Sequence, residues 1–102
     1  MRTIMEPNSD WDQFTPVGDH TQTNSLANAT TITIPSGATK DMMQTQTQSV
    51  RFTLDGTAPT TTKGFIIVAN AVPLIVYLNA AKNTFKVIEC ATTAVFDYQF
   101  GK

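Results

Sequence analysis

A chain of 102 residues is long enough for one domain and short enough that folding hides only about two-thirds of its unfolded surface, so its core must be thin. Charged residues make up 15% of it and the net charge is −1, which leaves no basic field to hold a nucleic-acid backbone. The single cysteine excludes an internal disulfide framework, and no window approaches the ~20 apolar residues of a membrane helix.

From Met1 to about Asn28 no periodicity is sustained. Pro7, Asn8, Pro16 and Gly18 interrupt a polar run that carries isolated apolar residues, Trp11, Phe14, Val17 and Leu26. Residues 1–28 therefore read as an N-terminal arm, with residues 29–102 as the folded domain. Trp11 and Phe14 are too large and apolar for a wholly solvated tail and are expected to bury against the domain or a neighbouring subunit. The arm holds Asp10, Asp12, Asp19 and His20, but a metal centre needs three or more ligands converging from rigid positions, so these are read as solvated. It also lacks the apolar core of a signal peptide, so the chain is expected to be made in the cytoplasm.

Beyond the arm, short strand-like runs recur about every ten residues, each closed by turn residues. Threonine supplies 18 residues of the chain, and its branched side chain suits a half-wet pleated surface. Thr31 to Ile34 is β-branched and ends at Pro35-Ser36-Gly37. Lys40 to Gln48 alternates, placing Gln44, Gln46 and Gln48 on a wet face and Met43, Thr45 and Thr47 on the other. Val50, Phe52 and Leu54 point to one side of the next run, Arg51 and Thr53 to the other. Phe65 to Val68 and Leu74 to Leu78 are almost continuously apolar. Either they are the central strands of a compact sandwich, or one of their faces is covered by another subunit or a larger surface. Phe85 to Cys90 alternates again, and the last run sets Phe96, Tyr98 and Phe100 opposite Val95, Asp97 and Gln99. The segment "NAAKN", residues 79–83, is a turn. The expectation is an all-β fold, a small antiparallel β-sandwich or jelly roll of about seven strands.

Chemistry finds little footing. Cys90 falls inside a strand pattern, far in sequence from the one histidine, and reads as a small core residue rather than a nucleophile. There is no glycine-rich phosphate loop and no nucleophile elbow. The expectation is no enzyme, no cofactor and no metal. The stretch "SVRFTLDGTAPTTTKG", residues 49–64, reads as backbone design: a strand, a turn at Asp55-Gly56 where glycine accepts positive φ, and a loop stiffened by Pro59. Arg51 and Asp55 lie four apart, placed to pair across the strand end.

The same stretch carries a resemblance. "ITIPSGATKDMMQTQTQSV" followed by "VRFTLDGTAPTTTKG" is similar to small structural proteins of tailed bacteriophages, in which I-x-I-P-x-G-A leads to V-R-Y/W-x-x-D-G-T-x-P-T and then to a glycine and an apolar strand. It covers residues 32 to about 68, continues weakly through "FKVIE" and does not reach the arm. Met42-Met43 replaces the short-chain residue usual before Gln. The string F-T-L-D-G-T-x-P-T also resembles fibronectin-like β-sandwich modules of chitin- and hexosamine-cleaving enzymes.

The phage resemblance implies a virion protein on the capsid surface, a decoration or cement protein whose partner is the major capsid protein and which is itself a homo-oligomer, trimer or dimer. Neither nucleic acid nor membrane is expected as a partner. A head-to-tail connector or tail component is the alternative in the same setting. The module resemblance implies instead a carbohydrate-binding or spacer role, for which Phe96, Tyr98 and Phe100 are the only aromatic row in the sequence. The residues expected to meet a partner are Trp11 and Phe14 in the arm and Thr57, Thr60, Thr61 and Lys63 in the loop.

Overall fold

A computed structural model describes residues 13–102, which form eight strands and no helix. They are β1 (Thr21–Thr23), β2 (Thr30–Ile32), β3 (Lys40–Gln46), β4 (Val50–Thr53), β5 (Phe65–Ile67), β6 (Leu74–Tyr77), β7 (Phe85–Glu89) and β8 (Val95–Gly101). All pairings between them are antiparallel. One sheet runs β1-β8-β3-β6 and the other β2-β7-β4-β5. The pairs β1·β8, β2·β7, β3·β6 and β4·β5 are those of one long hairpin, closed between β4 and β5 and folded over on itself. That wiring is the jelly roll, and its two sheets form a small β-sandwich.

The alternation in the sequence explains the core. On β4, Val50 and Phe52 are buried and Arg51 is not; on β7, Phe85, Val87 and Glu89 are buried while Lys86 and Ile88 are only half-covered. Phe52 meets Phe85 in an edge contact within one sheet, Phe85 meets Phe100 of the other sheet in a second, and Tyr98 and Phe96 continue the stack along β8. This aromatic column joins the layers. The row Phe96, Tyr98 and Phe100 is therefore core, not a sugar-stacking surface: Phe96 and Phe100 are buried and Tyr98 packs against the same cluster.

The arm begins to pair well before residue 28. Thr15 exchanges two backbone hydrogen bonds with Lys102, Val17 N–H donates to Phe100 and β1 pairs with β8 along Thr21 to Thr23. Leu26 is buried in the core. Residues 15–28 thus belong to the sandwich. Their strand was hidden because "TQT" carries no apolar alternation; its outer face is held by polar bonds to Asp97. Trp11, Asp10 and Asp12 lie outside the described residues.

The connection from β4 to β5 follows the sequence, and one pairing does not. β4 and β5 are partners joined, as expected, by a turn at Gly56 (φ 86) and a loop that runs to Gly64. Arg51 and Asp55 do not pair. The guanidinium donates to the carbonyls of Thr61 and Gly64 at 3.2 and 2.8 Å, and Asp55 accepts from Thr57 N–H at 3.0 Å. Fixed carbonyls one and four residues before β5 reward Arg51 more than an exposed ion pair would.

Candidate docking site

The apolar runs at residues 65–68 and 74–78 are not central strands. β5 and β6 each end a sheet, and because they follow one another in the chain both open edges lie on the same side of the sandwich. That side displays Phe65 (67% exposed), Ile66, Val68, Val72 (82%), Leu74 and Tyr77. Edge strands normally carry charge, proline or a bulge to prevent pairing. β5 and β6 consist of Phe-Ile-Ile and Leu-Ile-Val-Tyr, with no charged residue in either.

The segment between them is rigidly attached. Asn70 N–H donates to Thr45 O at 2.8 Å, Ala69 N–H to Ser49 Oγ at 2.9 Å and Gln44 Nε2 to Ala71 O at 2.9 Å. Asn70 takes φ 61, a left-handed turn that asparagine tolerates. Val68 and Val72 therefore project from backbone pinned to β3. An apolar display on a held backbone binds without first paying to order itself.

At the start of β5 the rim opens into a cleft of about 550 Å³. Leu54 and Phe65 supply apolar surface; Asp55, Thr57, Lys63, Lys82 and Asn83 supply the polar groups. Gly64 is required here: its φ is +120, and a Cβ would stand 3.0 Å from Phe52 O. The Asn79–Asn83 turn is closed by its own side chains, Asn79 Oδ1 accepting from Ala81 and Lys82 N–H and Asn83 Oδ1 from Asn79 N–H. That turn holds Lys82 at the cleft. Asp55 is kept below the ordinary carboxyl range, first by the Thr57 N–H and hydroxyl and last by the Lys63 charge.

The loop residues expected to meet a partner divide. Thr57 and Lys63 line the cleft. Thr60 and Thr61 are exposed but serve the loop: Thr60 Oγ1 accepts from Thr62 and Lys63 N–H, and Thr61 O holds Arg51. Phe14 packs on its own domain, its ring lying where a Cβ on Gly101 would stand, within 2.5 Å. Lys82, Asn83 and Phe65 went unnoticed in the sequence, since a turn and an apolar run give no sign of meeting in space.

Other chemistry stays dispersed. Cys90 follows β7 in one sheet, whereas His20 Nε2 bonds Asp97 Oδ1 at 3.0 Å on the other. Among the described residues no group of three His, Cys, Asp or Glu could hold a metal ion, and no helix is long and apolar enough to cross a membrane. Comparison with protein-family models, with curated proteins and with solved structures gave no match.

Proposed function

We propose that this chain is a structural docking protein of a virion, which binds through its β5–β6 rim across capsid subunits and stabilises the head. The single observation that carries the reading is the rim: six large exposed apolar side chains, four on the uncharged edge strands β5 and β6 and two, Val68 and Val72, on the segment that joins them. A soluble monomer rarely leaves such a surface uncovered. The sequence resemblance to phage structural proteins supplies the setting. A jelly roll is a frequent architecture of capsid-associated domains and agrees with that setting, although a fold by itself assigns no role.

The work done is mechanical. Apolar contact and added backbone hydrogen bonds along the two edges would tie neighbouring subunits together, and no catalytic group takes part. Cosedimentation of the purified protein with mature capsids tests this. Saturation at a copy number set by the capsid lattice is expected. Binding at one ring only would move the protein to the connector or tail, and no binding would remove the virion reading.

The cleft supports a second reading, a carbohydrate-binding module. Its aromatic would be the exposed Phe65, with Thr57, Lys82 and Asn83 as hydroxyl partners. A glycan-binding screen without hits would exclude it.

A further inference from the structure

We propose that the cleft at the start of β5 seats an acidic side chain of an extended partner segment, which adds as a strand to the open edge of β5. The proposal rests on the reading of the rim as a docking face and names the chemistry presented to it.

The backbone comes first. β5 pairs only with β4, so alternate N–H and C=O groups on its other side face outward. Strand addition satisfies such groups, while pockets beside the edge choose among side chains. The cleft is a pocket of that kind, directly at Gly64 and Phe65.

Charge then selects the occupant. Lys63 and Lys82 both line the cleft, and neither ammonium makes an ion pair within 4.0 Å among the described residues. The one carboxylate there, Asp55, already accepts the Thr57 N–H at 3.0 Å. Arg51 of β4 lies directly opposite Ile66 of β5, and Lys86 pairs with Thr53 on the same outward face, adding two more cations behind the cleft. The remaining described carboxylates are elsewhere: Asp41 and Glu89 are buried, and Asp19 and Asp97 belong to the β1–β8 side. This end of the second sheet is therefore positive in a protein whose net charge is −1.

That polarity argues against a second copy on the same edge. Two β5 strands paired antiparallel would each bring Lys63 and Lys82 toward the cations behind the other, and like charges across a pairing are unfavourable. An acidic strand gains where a second copy loses. Leu54 and Phe65 would cover the methylenes of a glutamate while its carboxylate reached the two lysines.

The probe is the blocked peptide acetyl-Thr-Glu-Val-Glu-Thr-amide, with versions carrying Gln or Lys in place of Glu, titrated into isotope-labelled protein and followed by amide chemical shifts. The Glu peptide is expected to move the amides of Phe65, Ile66 and Ile67 together with those of Lys63, Lys82 and Asn83. The Gln peptide should bind about tenfold more weakly. The Lys63→Glu/Lys82→Glu variant, altered only at exposed positions, should lose the Glu peptide and gain the Lys one. Asp55→Asn, which keeps the turn acceptor, should tighten the Glu peptide. Shifts of equal size with all three peptides, shifts confined to β6, or none with the Glu peptide would overturn the proposal. So would an oligoglucuronate that moves the cleft amides while the peptide does not, which would assign the cleft to acidic sugars. Peptide binding without capsid binding would leave this site standing and remove the virion reading.

Discussion

Asp41 is a costly residue to bury. It is fully buried on the inner face of β3, beside Val76 and Phe100, and neither carboxyl oxygen has a hydrogen-bond partner. Its neighbour Lys40 cannot help, because consecutive strand residues point to opposite faces; its ammonium instead holds Gln13 O at 3.2 Å. Burial alone raises the Asp41 pKa from an ordinary 3.8 to about 8. The folded protein thus keeps this proton over a range in which the unfolded chain has released it. Its contribution to stability is complete below about pH 4 and is lost as pH rises through about 8. The shift corresponds to a loss on the order of 5 kcal/mol across that interval. Asp41→Asn should therefore flatten the dependence: urea denaturation should show near-equal stability at about pH 4 and a variant more stable than the parent at about pH 8. A parent whose stability rises over that range would refute the assignment. A second test concerns Gly101, whose missing Cβ leaves room for the Phe14 ring. Gly101→Ala should expel that ring and expose residues 13–15 to faster hydrogen exchange, with the core strands unchanged.

The strands were legible wherever one face is wet. Val50 to Leu54, Phe85 to Cys90 and Ala94 to Phe100 declare their inner sides by alternation, and each forms within two residues of its expected bounds. β1 was not legible because its partners are polar. Asp97 gathers His20, Gln22 and Gln46 at 3.0, 3.1 and 3.3 Å, fastening β1, β8 and β3 across the outer face of their sheet. Asp97→Ala should cost about 1 kcal/mol and fray β1 first, which hydrogen exchange at Thr21 to Thr23 would register. The position of β5 and β6 was not legible either. A continuous apolar run reads alike in a central strand and in an edge strand awaiting a partner, and only the pairing order separates the two. The core column makes a contrasting prediction: Phe85→Ala, at the junction of Phe52 and Phe100, should cost about 3–5 kcal/mol and unfold a chain with so thin a core.

The molecule has two unlike sides. One ends in the edge strands β1 and β2, Thr-Gln-Thr and Thr-Thr-Ile, with the polar bonds of Asp97; the other ends in β5 and β6, with apolar side chains on a backbone pinned to β3. The loop of residues 54–64 held a sequence motif, yet its contribution to the site depends on Lys82 and Asn83, brought there by a different turn, which no spacing in the sequence could reveal. Function, on this account, resides in the open side. The most direct test is capsid binding by the parent protein and by Ile66→Lys/Val72→Lys, both positions being exposed so that folding stability should change by no more than about 0.5 kcal/mol each. If the rim is the docking face, the variant should denature like the parent and bind capsids about a hundredfold more weakly. Undiminished binding by a folded variant would contradict the account.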